Sequence, residues 1–110
     1  MSNDRELLEL AAKAAGLTFE FLASPLVKAV PDDLERPWRY WNPLADDADA
    51  LRLATKLRLD IMFFNGFEEV ICSDQSETDE NVIEPYGDDI DAAVRRAIVR
   101  AAAEIGRSMK

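Results

Sequence analysis

The sequence predicts a small α+β domain, in which three amphipathic helices are layered on an antiparallel sheet of roughly three to five strands, an α/β/α sandwich-like arrangement. Two observations predict this class. Apolar residues recur at helical spacing in three separate segments, and Asn65-Gly66 stands between two β-prone runs as the preferred two-residue hairpin turn. With 110 residues, 48% of them hydrophobic, the chain can form one core without disulfides or metal. We therefore expect residues 1–110 to be a single domain.

The predicted helices span about residues 4–15, 47–57 and 89–105. The cap candidates are Asn3 or Asp4 for the first helix and Asp46 or Asp47 for the second, and the last helix is predicted to begin around Asp88 or Asp89. The apolar stripes expected to be buried are, helix by helix, Leu7, Leu10, Ala11 and Ala14; Ala50, Leu53, Ala54 and Leu57; and Ile90, Ala93, Val94, Ala97, Ile98, Ala101 and Ile105. The last helix has Asp88, Asp89 and Asp91 at its start and Arg100, Arg107 and Lys110 at or beyond its end, and these charges are interpreted as complementing its dipole.

The strands are predicted from β-prone runs that alternate or are continuously apolar. In chain order these runs cover residues 17–22, 25–30, 59–64, 67–72 and 82–85. Residues 31–43 contain three prolines and are interpreted as an irregular connection. The last run is short and is interpreted as an edge strand, with Val82-Ile83 adding to another sheet as the alternative.

A two-residue turn at Asn65-Gly66 would place Phe64 opposite Phe67 and Ile61 opposite Val70. One face of this hairpin is expected to pack on the helices, and it collects Leu59, Ile61, Phe63, Val70 and Cys72, with Glu68 near the turn. The other face holds Met62, Phe64, Phe67 and Ile71 beside Asp60 and Glu69. Because this second face is too apolar to be fully exposed to solvent, we expect part of it to be covered. Self-association through Met62, Phe64 and Phe67 is one hypothesis.

The net charge of −9 is distributed unevenly along the chain. Residues 59–94 contain 11 acidic side chains and no basic ones, whereas residues 95–110 contain five basic and one acidic. Direct nucleic-acid binding is disfavoured, since phosphate contacts need a cationic surface. The stretch 73–81 is interpreted as a solvated loop or, alternatively, as a surface that imitates a phosphate backbone and binds a basic protein. The candidate contact residues are Asp74, Glu77, Asp79 and Glu80 in this stretch, together with Glu84 just beyond it.

Residues 36–41 concentrate the arginine and aromatic side chains that are enriched at binding hot spots. Trp38 and Tyr40 are candidate anchors for a protein partner if they are exposed. Trp41 leads into Asn42-Pro43 and the second helix, so we expect it to be buried.

The residue types exclude most catalytic chemistry. The chain has no histidine, one cysteine and four scattered glycines, which rules out Ser-His-Asp and Cys-His catalysis, histidine-ligated metals and glycine-rich phosphate loops. Cys72 is expected to pack as a small apolar residue. We expect no enzyme activity, no cofactor and no metal.

Asp46, Asp47 and Asp49 form the one carboxylate cluster with a competing chemical interpretation. A cap and acidic first turn of a helix account for all three. The alternative is a Mg²⁺ or Ca²⁺ site, which would make the chain a carboxylate-metal enzyme.

The chain has no apolar run long enough to span a membrane, and its polar, acidic start is unlike a secretory leader. A lone thiol fits a reducing compartment. We therefore expect a cytoplasmic location, with no membrane contact.

Two segments carry a family resemblance: Trp41-Asn-Pro-Leu-Ala-Asp-Asp-Ala-Asp-Ala-Leu-Arg-Leu-Ala54 and Asp91-Ala-Ala-Val-Arg-Arg-Ala-Ile-Val-Arg-Ala-Ala-Ala-Glu-Ile-Gly106. They resemble the phage "ABA sandwich" domain family over the second and third helices, and the first helix resembles it loosely. The family usually has Asp-Asp-Gly-Asp where this chain has Asp46-Asp47-Ala48-Asp49, and the sheet region shows none of its signatures. The resemblance implies a layered α/β domain of phage or prophage origin, with no established activity.

The leading functional hypothesis is therefore a non-enzymatic phage accessory protein that binds a host protein, such as an acidic, anti-CRISPR-like or other anti-defence inhibitor of a nucleic-acid-binding complex. The alternative is a self-associating structural or packing module of a phage or prophage, for which a homodimer is expected.

Overall fold

The structure is a computed structural model that describes residues 4–21, 27–30, 39–74 and 81–109. Its elements follow the order α1 (Asp4–Ala15), β1 (Thr18–Phe21), β2 (Val27–Val30), β3 (Arg39–Trp41), α2 (Asp47–Leu57), β4 (Asp60–Phe64), β5 (Glu69–Ser73), β6 (Val82–Pro85) and α3 (Ile90–Ser108). The predicted α+β class, with three helices and a small antiparallel sheet, is confirmed, although the described strands form two such sheets and not one. No helix in the described parts of the chain is long and apolar enough to cross a bilayer.

The described strands form two antiparallel sheets, in the orders β1-β2-β3 and β4-β5-β6. The predicted pairing of the first two strands is confirmed, and so is the short strand at Val82–Pro85, which pairs with β5. The prediction of an irregular connection through residue 43 is wrong at β3. There Trp41 lies opposite Val27, so pairing with β2 supplies the order that the proline-rich sequence does not signal.

The core forms around α3, which packs on α1 and α2 on one side and on the second sheet on the other. Trp41 is 2% exposed, which confirms its predicted structural role. The largest fully buried side chains with it are Leu8, Val70, Val99, Pro43 and Cys72. The second sheet thus contributes one face to the core, as predicted for Val70 and Cys72.

Helices α1 and α3 pack closely through small residues. Gly106 has no room for a side chain, because a Cβ there would lie 2.8 Å from the carbonyl carbon of Leu10 and closer still to its oxygen. The predicted stripe of α1 is partly wrong: Leu7 and Leu10 are only half-buried, and the buried face is Leu8, Ala11, Ala12 and Ala15. In α3 the buried set also includes Val99, Ala102 and Ala103, because this helix contacts α1 as well as the sheet.

The helix caps follow the sequence. Asp46 accepts a hydrogen bond from the Asp49 backbone N–H at 2.8 Å and caps α2, while Asp89 accepts from Ala92 N–H at 3.1 Å and caps α3. The predicted α2 stripe is confirmed at Ala50, Leu53 and Ala54.

The hairpin register differs from the prediction. Phe64 lies opposite Glu69, and Ile61 lies opposite Cys72, so the connection is the loop 65–68 rather than two residues. A type I′ turn needs positive φ at Asn65 and Gly66, and neither has it; Glu68 has φ 53° instead. Tyr86 holds this loop, since its hydroxyl donates to Asn65 Oδ1 at 2.6 Å and its N–H donates to the Glu68 carbonyl at 2.8 Å.

The new register shifts every pair by two residues, so the predicted separation of the two faces survives. Val70 and Cys72 are buried, and Met62 and Phe64 lie on the opposite side. Glu68, however, belongs to the loop and not to a strand.

Candidate functional site

The outward side of the second sheet carries a continuous apolar surface, which we call the outer face. It consists of Met62 and Phe64 on β4, Ile71 on β5, Ile83 on β6, and Phe67 in the hairpin loop. Met62, Ile71 and Ile83 form one row across the three strands. The Phe64 and Phe67 rings stack with their centroids 5.9 Å apart.

Four of these side chains are strongly exposed: Met62, Phe64 and Ile83 at 46–49%, and Phe67 at 73%. Burying a side chain of this size is worth about 1.5–3 kcal/mol, so leaving several exposed together forgoes a large stabilisation. The parts of the chain that the structure describes therefore do not supply the expected cover. A clustered apolar surface of this kind is typical of a docking site.

A second apolar surface lies on the other side of β4, in a groove of about 240 Å³ between α2, β4 and the start of α3. We call it the groove. Its exposed apolar side chains are Leu51, Phe63 and Ile90, and Asp47 and Asp91 also line it. Phe63 was expected to be covered by helices, which is wrong, because α3 packs on β5 and β6 and leaves β4 at the margin.

The structure describes only some of the residues that the sequence offers as candidates for binding a partner. Glu77, Asp79 and Glu80 lie outside the described residues, as does Trp38. Tyr40 lies in β3 opposite Lys28, and the structure does not describe its side chain. Asp74 directly follows β5 and is half-buried.

Glu84 is engaged within the molecule. Its side chain is 15% exposed and forms an ion pair with Arg100, which also donates to the Ile83 carbonyl at 3.1 Å. These contacts fasten β6 to α3. The negative charge of Glu84 is thus compensated internally, and it has no part in the proposals below.

The arginines of α3 bind neighbouring elements, which the sequence alone did not reveal. Arg95 reaches Asp47 at 2.6 Å and the Leu44 carbonyl at 2.9 Å, and Arg96 reaches Asp4 at 2.9 Å. Arg107 lies 3.6 Å from Glu6 of α1. The interpretation as dipole partners is therefore incomplete, because these cations mainly tie α3 to α1, α2 and β6.

Each carboxylate of the Asp46 cluster has a structural partner. Besides the cap at Asp46 and the Arg95 contact of Asp47, Asp49 is only 5% exposed. It accepts from the Asn42 N–H at 2.9 Å and from Arg52 at 3.2 Å. Across the described ranges, no group of three or more His, Cys, Asp or Glu side chains is arranged to hold a metal ion.

Cys72 is fully buried, as predicted. Its pKa is raised from 9.0 to about 12, mainly by burial and to a smaller extent by the nearby Asp60 and Asp74 carboxylates. Its thiol stays protonated at neutral pH and is a poor nucleophile.

A comparison with protein-family models found no match, and comparisons with curated proteins and with solved structures found none either. The resemblance to the phage ABA sandwich family stays a prediction.

Proposed function

We propose that this chain is a non-enzymatic accessory protein of a phage or prophage, and that it binds a basic host protein through the outer face. The observation that carries the proposal is the exposure of Met62, Phe64, Phe67 and Ile83 on one surface. All four belong to the segment 59–94, which has no lysine or arginine.

The charge of that segment supports a basic partner. Carboxylates at Asp60, Glu68 and Glu69 belong to the strands and loop that carry the outer face. Complementary potentials accelerate encounter and exclude partners of the same sign. Proteins that bind nucleic acid present such cationic surfaces, so a nucleic-acid-binding defence complex is the proposed target, with the acidic chain competing for its phosphate-binding surface.

The available chemistry supports binding rather than catalysis. The chain lacks histidine, its one thiol is buried and protonated, and Asp46, Asp47 and Asp49 are engaged in caps and ion pairs.

The proposal is tested by titrating the purified chain against immobilised, purified nucleic-acid-binding defence complexes. The outer-face variant Phe64→Ser with Phe67→Ser should bind at least about tenfold more weakly, since central aromatic anchors dominate binding energy. Met109→Ser is the matched control, because Met109 is an exposed apolar residue just beyond α3.

A second variant pair tests the electrostatic part. The charge variant replaces four acidic residues by their amides, at Asp74, Glu77, Asp79 and Glu80. Its control replaces an equal number outside the acidic segment, at Glu9, Asp32, Asp33 and Glu35. The charge variant should associate more slowly and show a weaker salt dependence than its control. If neither the outer-face variant nor the charge variant changes binding, the proposed function is wrong.

Self-association through the outer face is the second candidate function, favoured by the flat row formed by Met62, Ile71 and Ile83. Light scattering over a range of concentrations decides it. A dimer that Phe64→Ser with Phe67→Ser converts to a monomer supports it, and a strict monomer at high concentration rules it out.

A further inference from the structure

The two edges of the second sheet differ in how they are protected. The β6 edge carries Pro85, and the Ile83 carbonyl in the same strand accepts a hydrogen bond from Arg100. Prolines and covering side chains are the usual means of preventing further strands from pairing. Within the described residues, the β4 edge has neither a proline nor a side chain reported to bond to its outward backbone. Among the described strands β4 pairs with β5 alone, and its sequence Asp60–Phe64 has one charge and four apolar residues.

Both exposed apolar surfaces border this unprotected strand. Met62 and Phe64 point to the outer face, whereas Ile61 and Phe63 line or face the groove. A strand placed beside β4 would have the same alternation, so its successive side chains would reach the outer face and the groove in turn. A single extended segment would therefore cover both surfaces.

We propose that the partner adds an extended strand to β4, and that this strand has apolar residues in its centre and lysine or arginine at its ends. This inference rests on the proposed function and specifies how the partner is bound. Backbone hydrogen bonds to β4 supply affinity in such strand addition, and the alternating side chains supply specificity.

The charges around β4 select a basic occupant. Glu69 lies opposite Phe64 at the end of the strand and Asp91 lines the groove, whereas the charge of Asp47 in the same groove is compensated by Arg95. A second copy of β4 would offer no cation to these carboxylates, and the copy would bring its own net charge of −9. Strand exchange between two copies is therefore disfavoured relative to a basic segment.

The probe is a synthetic peptide of about nine residues, Lys-Lys-Val-Ile-Val-Phe-Val-Lys-Lys, whose central apolar run matches the length of β4. Its control is the same peptide N-methylated at two adjacent central residues, which removes a backbone donor from each edge while keeping charge and apolar surface. The affinity of each is measured by titration. Amide hydrogen exchange of the full chain is followed by NMR with and without the peptide.

The unmodified peptide should slow exchange of outward β4 amides by at least about tenfold. It should also bind at least about tenfold more tightly than the N-methylated peptide. Met62→Lys on the outer face and Phe63→Lys in the groove should each weaken binding, because one strand contacts both surfaces. Met109→Lys adds the same charge elsewhere and should weaken binding least.

Equal affinities for the two peptides, or unchanged exchange in β4, would overturn strand addition. So would equal binding by the three lysine variants, which would mean that charge alone attracts the peptide, or failure of the unmodified peptide to bind. None of these outcomes decides the proposed function. The proposed function is tested instead by the binding of the outer-face and charge variants to the basic complexes. A partner that docks on the outer face without adding a strand would still bind these variants more weakly.

Discussion

Gly106 of α3 packs directly on the backbone of Leu10 in α1, with a separation that leaves no space for a Cβ. This contact sets the distance between the two helices, and the fully buried Ala11, Ala12, Ala102 and Ala103 are part of the same tightly packed core. Their close packing explains how a chain with many alanines buries a dense helical core.

Gly106→Ala should therefore lower the free energy of unfolding by about 1–3 kcal/mol, because the added methyl overpacks the helix contact and outweighs the better helix propensity of alanine. Denaturant unfolding measures the change. Gly66→Ala is the control: nothing lies within 4 Å of its Cβ position and its φ is not positive, so it should be neutral or slightly stabilising. Similar losses in both variants would contradict the close packing.

Asp49→Ala should lower the free energy of unfolding by about 1–3 kcal/mol, since it leaves the half-buried Asn42 N–H without its acceptor. Thermal or denaturant unfolding measures the loss. Asp88→Ala removes an exposed carboxylate just before the α3 cap and should change stability by less than about 0.5 kcal/mol. If Asp49→Ala left the free energy of unfolding unchanged, the buried carboxylate would not stabilise the segment that leads into α2.

Tyr86→Phe should cost about 0.5–1.5 kcal/mol, because it removes the hydrogen bond to Asn65 Oδ1 while keeping the ring beside Phe63. Amide exchange in the loop 65–68 should accelerate as well. A double-mutant cycle with Asn65→Ala isolates the pair, and additive effects of the two changes would contradict a direct hydrogen bond.

The Cys72 thiol should make stability depend on pH. Its pKa is about 12 when folded and 9.0 without burial, so the unfolded thiol ionises first. The contribution is complete below pH 9.0 and is lost as pH rises toward about 12. Unfolding of the wild type and of Cys72→Ala, measured at pH 8 and at about pH 10, should show a steeper decline for the wild type. Parallel declines would contradict the raised pKa.

Phe67→Ser should lower the free energy of unfolding by no more than about 1 kcal/mol, because its side chain is largely exposed and its described ring contact is with Phe64 outside the core. The equivalent change at a core position, Val70→Ser, should cost several times more, about 2–4 kcal/mol. A large loss in Phe67→Ser would mean that the outer face stabilises the monomer instead of serving a partner.

Much of the candidate surface follows from strand alternation. The assignment of Met62 and Phe64 to one face, and of Val70 and Cys72 to the other, needs only the period of two. The groove was not predicted, because it depends on where α3 begins relative to β4. The ion pairs of Arg95, Arg96 and Arg100 join residues far apart in the chain, and spacing along one helix carries no signal for them.

The sequence by itself determined the limits of α1 and α2, the approximate start of α3, the Asp46 cap of α2 and the two faces of the hairpin, because each depends on interactions within a few residues. Only the tertiary structure decided the strand at Arg39–Trp41, the loop 65–68 and the buried side of α1. These depend on distant partners, namely β2, Tyr86 and α3. A local pattern identifies a side chain as apolar, but whether that side chain is buried depends on an element from a distant part of the chain.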